Sequence, residues 1–245
     1  PQDEASAGRI RTLGGRDDGR VNLKLVGAPL PFDRKEFDRL SGAIGDRPVV
    51  VLASTHEGEE AALVARLKTL APRPFLIVVP RHPERAGTIV ADMAALGLTV
   101  AVRSRGEVPG ADTDLYLADT LNEMGLFLRL AEVVVLGGAF GPLIGQGPVG
   151  GHNPLEPARL ARPTLTGPDM SNWSIAGAMV EAGGLEIITD LSRLAPRVAD
   201  LLADPDQARL LGRQAEQAAA SADGGLEVLW QAMAPLLPPA AGGRR

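Results

Sequence analysis

The sequence contains no cysteine. That absence removes disulfides, thiolate nucleophiles and cysteine-based metal sites, and it agrees with a reducing compartment. Aromatic residues make up only 3% of the chain, which argues against stacking platforms for single-stranded nucleic acid. Basic and acidic residues number 25 and 30, and the net charge of −5 carries no footprint of a nucleic-acid binder. The three histidines, His56, His82 and His152, are too few and too scattered along the sequence for a zinc site, so neither metal nor cofactor is expected. No apolar run approaches the ~20 residues of a membrane span. The chain opens on Pro1-Gln2-Asp3-Glu4, with neither an initiator methionine nor a signal-peptide pattern, and is expected to be a fragment or a processed piece.

What remains has the composition of a globular protein, 45% apolar and 22% charged, and its 245 residues suffice for one good core or two small ones. The runs Val49–Ala53, Phe75–Val79, Leu98–Val102, Leu115–Leu117, Val133–Leu136, Thr164–Thr166 and Leu185–Ile188 read as strands. Helical patterns follow them: one whose Leu63, Leu67 and Leu70 share a face, then 84–96, 121–130, 154–161, 172–182, 192–203, 205–221 and 225–234. Ahead of these, residues 4–13 and 34–40 read as helices, 21–26 as a strand and Gly27–Pro31 as a linker. Solidly apolar strands, each followed by a helix, predict a parallel sheet covered on both faces. The class is α/β, a doubly wound Rossmann-like parallel sheet. Residues 31–236 form this domain, and 237–245 read as a disordered tail.

Three strand ends share a spacing. Ser54-Thr55-His56-Glu57, Thr120-Leu121-Asn122-Glu123 and Asn153-Pro154-Leu155-Glu156 each place a glutamate three positions after a capping residue. Each predicts a helix N-terminus with a capping box, and such termini at the carboxyl ends of strands suit phosphorylated ligands. Asn153 is a good N-cap, Pro154 suits the first helical position, and Gly150-Gly151 lets backbone approach a ligand. Glu156 would accept hydrogen bonds from sugar hydroxyls while N–H groups take the charged part. Arg81, between Pro80 and His82-Pro83, suits bidentate recognition of a phosphate or carboxylate. Its bland alternative is a surface ion pair, for example to Glu84. His56, at a strand–helix junction, could donate to an oxyanion or simply pack.

Taken in order and spacing, Ser54-Thr55-His56-Glu57-Gly58-Glu59-Glu60, Pro80-Arg81-His82-Pro83-Glu84-Arg85, Asp119-Thr120 with Glu123, and Gly150 through Ala158 resemble one family. It is the 3-deoxy-D-manno-octulosonic acid (Kdo) transferase family of lipopolysaccharide assembly, and the match runs from the first residues to about 236. The resemblance implies the carboxyl-terminal domain of a two-domain GT-B glycosyltransferase, with residues 1–30 as the end of the amino-terminal domain and the interdomain linker. It implies that Pro80, Arg81, Leu121, Asn122, Glu123, Asn153, Pro154, Leu155 and Glu156 bind the donor CMP-Kdo or its product CMP. Ser54, Thr55, His56 and Gly151 are further donor-binding candidates. The acceptor, a lipid A precursor, the catalytic base and any membrane contact would belong to the missing half. The intact enzyme would work on the cytoplasmic side of a bacterial inner membrane, with this chain alone soluble and inactive. Two departures from the family pattern stand out: Asn122 replaces a glycine, and the loop Ala139–Val149 is longer. Other readings of the same residues are a GT-B enzyme using a UDP-sugar, as transferase or epimerase, or a non-catalytic nucleotide-binding module.

Overall fold

Every predicted apolar run from Val49 onward takes its place in one seven-stranded, all-parallel sheet of a computed structural model. It describes residues 1–245 apart from 3, 18, 20–21, 223–228, 232 and 237–245. In chain order the strands are β1 (Val49–Thr55), β2 (Phe75–Pro80), β3 (Val100–Val102), β4 (Leu115–Leu117), β5 (Val133–Leu136), β6 (Thr164–Thr166) and β7 (Glu186–Ile187). The helices are α1 (Glu4–Thr12), α2 (Arg34–Ile44), α3 (Glu59–Leu67), α4 (Ala86–Ala95), α5 (Met124–Leu130), α6 (Leu155–Ala158), α7 (Ala176–Glu181), α8 (Leu194–Ala203) and α9 (Pro205–Ala222).

The central strands are hydrophobic on both faces. Val50, Val51, Leu52, Ile77, Val78, Val134 and Val135 are fully buried, because α3, α4, α5 and α8 cover the two sides. The sheet order is β3-β4-β2-β1-β5-β6-β7. The chain therefore moves outward from β1 toward β2 and later returns to β1's other side with β5. That reversal leaves a crevice beyond the carboxyl ends of β1 and β5, where an open α/β sheet takes its ligand.

By its contacts the chain divides into residues 1–28 with 219–245, and residues 29–218. The first unit holds α1, in which Arg11 bridges Glu4 at 2.6 Å and Asp17 at 2.7 Å, and short 3-10 turns at Leu23–Leu25 and Ala234–Leu236. The strand expected at 21–26 is thus a helical turn over 23–25, with residue 21 outside the described residues. Of the helix expected at 225–234, residues 225–228 and 232 lie outside them, as does the whole tail 237–245. The second unit contains the entire sheet.

None of the three expected capping boxes forms as a reciprocal pair of side-chain-to-backbone bonds. β1 runs on through a bulge at Ser54, whose φ of 55° is left-handed, and Thr55 turns inward, fully buried. α3 then starts only after Gly58, with no side-chain cap. Likewise α5 begins at Met124 rather than Leu121, again uncapped, and the Thr120 hydroxyl donates to the Glu123 carboxylate instead. At the third site Asn153 Oδ1 accepts from Leu155 N at 3.1 Å and its Nδ2 donates to Glu156 at 3.2 Å. The helix that follows is shorter than expected, four residues in place of 154–161. So short a helix contributes little macrodipole.

Candidate functional site

The crevice, about 560 Å³, is walled by the ends of β1 and β2, by the segments that follow β4, β5 and β6, and by the segment before α2. β1 contributes Ser54, and β2 contributes Val79, Pro80 and Arg81. The turn after β4 contributes Thr120, Leu121 and Asn122, backed by Met124 and Gly125. The long loop after β5 brings His152, Asn153 and Glu156, with Trp173 and the Leu30-Pro31 segment closing the rim.

Two buried glutamates of α3 hold the floor together. Glu59, 1% exposed, accepts hydrogen bonds from His56 N at 3.0 Å, Gly138 N at 2.7 Å and Phe140 N at 2.9 Å. Glu60, equally buried, receives Arg85 at 2.9 Å and the Thr55 hydroxyl at 3.1 Å. A carboxylate this deep is tolerable only with such donors. Gly137 allows the approach, since a Cβ there would lie 2.7 Å from Glu59 Oε2 and 2.8 Å from Thr55 Cα.

On the crevice wall, Arg81 N donates to Thr55 O at 2.9 Å, while its guanidinium makes no ion pair among the described residues. The bland alternative for Arg81 is therefore not realised, because Glu84 faces His82 at 3.4 Å instead. Glu156 stands among the crevice residues, half-buried. Burial pushes its carboxyl up, opposed by the Asn153 hydrogen bond and by the charge of Arg81. A cation without a partner and a carboxyl inclined to hold its proton can bind an anion and donate to or accept from hydroxyls.

The turn after β4 is fixed from behind. Arg103 donates to Glu123 at 2.5 and 3.0 Å and to Glu36 of α2 at 2.7 Å, and Asp119 accepts from Ser104 N at 2.8 Å. The Arg103 bonds hold the Glu123 carboxyl below its ordinary range, and hydrogen bonds from Arg39 and then Arg103 bring Glu36 to about 2. Asn122 takes φ 63°, the left-handed region that glycine favours and asparagine tolerates. The glycine-to-asparagine departure is thus accommodated by the backbone, leaving both Leu121 and Asn122 exposed at the crevice edge.

Among the predicted residues, Ser54, Pro80, Arg81, Leu121, Asn122, Asn153 and Glu156 line one crevice. Glu123 does not, because Arg103 draws its carboxylate away. Pro154 and Leu155 are buried behind the turn, and Thr55 is spent on Glu60. Gly151 is also buried, its carbonyl receiving Trp173 Nε1 at 3.3 Å. The histidines, scattered in sequence, meet in space: His56 Nε2 lies 2.8 Å from His152 Nε2, and the His82 ring stands edge-on to His56 at 5.5 Å. No group of three histidines and acids suited to a metal occurs among the described residues. Sequence reasoning missed His152 and Trp173 as wall residues. Adjacency to Asn153 could have flagged the first, and being one of only two tryptophans the second.

No protein-family model matches the chain. It is 33% identical over 234 residues to the 3-deoxy-D-manno-octulosonic acid transferase of Bordetella pertussis, covering 86% of this chain and 53% of that protein. The solved C-terminal CMP-Kdo binding domain of WaaA from Acinetobacter baumannii superposes with a TM-score of 0.69 at 33% identity, over 75% of this chain and 96% of that one. The chain belongs to the Kdo transferase family. A glycosyltransferase from Rickettsia africae, 11% identical with a TM-score of 0.58 over 93% of this chain and 61% of that one, is similar in fold alone. The architecture is the Rossmann-like α/β domain found as the carboxyl-terminal part of GT-B glycosyltransferases. The chain spans 38% of the Kdo transferase of Rickettsia felis and about half of that of Bordetella pertussis. No helix among the described residues is long and apolar enough to cross a membrane.

Proposed function

We propose that this chain is the donor-binding part of a glycosyltransferase that moves Kdo from CMP-Kdo to a lipid A precursor, and that CMP is the product it releases. The observation that carries the reading is Arg81, a guanidinium with no ion pair among the described residues, at the carboxyl end of β2 in the same crevice as Asn153 and Glu156. A nucleotide phosphate supplies the charge that Arg81 lacks. Asn153 and the half-buried Glu156 would bond sugar hydroxyls, and the exposed Leu121-Asn122 edge would run along the nucleoside, a reading supported by their sharing one crevice.

In the transfer, the bond from the anomeric carbon of Kdo to the phosphate oxygen breaks, and its electron pair stays on that oxygen. Arg81 stabilises the charge gathering there, the role fixed donors play for any departing anion. A carboxylate from the remaining part of the enzyme would take the proton of the acceptor hydroxyl. That remaining part would also bind the acceptor and contact the cytoplasmic face of the inner membrane. Residues 1–30 would be the end of its amino-terminal domain and the linker. Alone, this chain binds CMP weakly and transfers nothing.

Calorimetric titration with CMP, UDP and GDP tests the reading. CMP is expected to bind best, and Arg81→Ala and Glu156→Ala each to weaken it at least tenfold. A preference for UDP, or binding unchanged by both substitutions, overturns it.

A further inference from the structure

The contact between His56 and His152 constrains how many protons the two rings can hold. Their Nε2 atoms are 2.8 Å apart and the rings meet edge to edge, with centroids 5.0 Å apart and planes 15° from parallel. At that distance one nitrogen must carry hydrogen and the other a lone pair, so both cannot be imidazolium. The imidazole that donates through Nε2 keeps a lone pair on its Nδ1, and no Nδ1 of the pair bonds to protein among the described residues. The pair can therefore accept one more proton without losing its mutual hydrogen bond.

Among the described residues no carboxylate bonds to either ring of the pair to hold that proton. The charged groups facing the pair are Glu59 and Glu60 of α3, and Arg81 and His82 after β2. Glu59 is spent on three backbone N–H groups and Glu60 on Arg85 and Thr55. Burial lowers His152 to about 4 and also lowers His56, with Arg81 and His82 adding repulsion. An anion entering beside His152, which lines the crevice with Arg81, reverses the balance.

We propose that His56 and His152 act as one proton-binding unit, which takes up a single proton from solvent when a phosphate occupies the crevice and with Arg81 completes its phosphate subsite. The inference rests on the nucleotide reading above. Its consequence concerns the leaving group: when the sugar–oxygen bond breaks, the phosphate gains one negative charge, and an imidazolium facing it offsets that charge. His152 is the member that reaches the crevice, and His56, behind it, is a positioning residue that fixes its tautomer.

With only three histidines in the chain, the imidazole Cε1–H resonances can be assigned from His→Gln variants and titrated by NMR with and without ligand. Saturating CMP is expected to raise the titration midpoints of His56 and His152 together by at least one pH unit. Cytidine, which lacks the phosphate, is expected to leave them unmoved, and inorganic phosphate at high concentration to move them partway. In His56→Gln the CMP-induced shift of His152 should shrink severalfold. CMP binding with unmoved midpoints, or a full His152 shift in His56→Gln, overturns the pair while leaving the nucleotide reading intact. Absence of any CMP binding sinks that reading, and this inference with it.

Discussion

The Glu59 carboxylate accepts the backbone N–H of Gly138 at 2.7 Å, a bond that crosses from the helix after β1 to the loop after β5. With His56 N and Phe140 N on the same side chain, it ties together the two loops that flank the topological reversal of the sheet. Glu59 is therefore a fastening under the crevice, not part of its wall.

Glu59→Gln is expected to destabilise the chain by about 2–3 kcal/mol, since the amide turns a donor toward N–H groups and weakens charge-assisted bonds. Glu57, exposed and capping nothing, provides the contrast: Glu57→Gln should stay within about 0.5 kcal/mol. Urea denaturation of both variants checks this. Equal losses would mean that the capping box, absent here, forms in solution.

A second fastening lies behind the turn that offers Leu121 and Asn122. Arg103 is 12% exposed and serves two carboxylates, Glu36 and Glu123, that are themselves 30% and 27% exposed. Arg103→Met is expected to cost about 1–3 kcal/mol, between the values for surface and buried pairs, and to weaken CMP binding severalfold as the turn loosens. A cycle combining Arg103→Met with Glu123→Gln should show a coupling of about 1 kcal/mol. Because Glu36 is held near 2, its share of stability is present above the ordinary carboxylate range and is lost as pH falls toward 2. Coupling near zero would detach Arg103 from the turn.

Much of this was legible in the sequence, and the reasons differ by element. The buried strands, from Val49–Ala53 to Val133–Leu136, were readable because apolar runs bounded by turns have few other uses in an α/β chain. The convergence of Arg81, Asn122, Asn153 and Glu156 was readable because strand ends share one sheet edge. What failed was local. Ser54/Glu57 and Thr120/Glu123 have capping-box spacing, yet tertiary partners claimed them: a β-bulge at Ser54 and Arg103 at Glu123. Single-sequence spacing cannot see a partner twenty residues away. Nor could it see that His56 and His152, 96 positions apart, would touch.

Gly125 marks a contact of the same hidden kind. It sits in the first turn of α5, where alanine is ordinarily better by about 1 kcal/mol, but a Cβ would fall on the Pro31 carbonyl oxygen and press Leu30. Gly125→Ala is expected to lose about 1–3 kcal/mol and to lower CMP affinity by displacing the Leu30-Pro31 rim. Gly42→Ala, within α2 and with open space around its Cβ position, should instead gain about 0.5–1 kcal/mol. Thermal unfolding of the two variants should therefore move in opposite directions. A stabilised Gly125→Ala would show that the 30–31 segment stands away from α5.

The depressed imidazoles make a final, ligand-independent prediction about pH. For His56 and His152 the folded state binds protons less readily than the unfolded chain, whose histidines titrate near 6.5. Below that value the unfolded state carries more protons, so stability rises with pH across this window and is lost as pH falls from about 6.5 toward 4. The raised carboxyls of Glu156 and Glu132 act in the opposite sense, holding protons more tightly when folded, and so soften the decline only at its acid end. The urea midpoint should therefore drop between pH 7 and pH 5, and the drop should flatten in a His56→Gln/His152→Gln double variant. An undiminished slope in the double variant would place the titrating groups elsewhere in the chain.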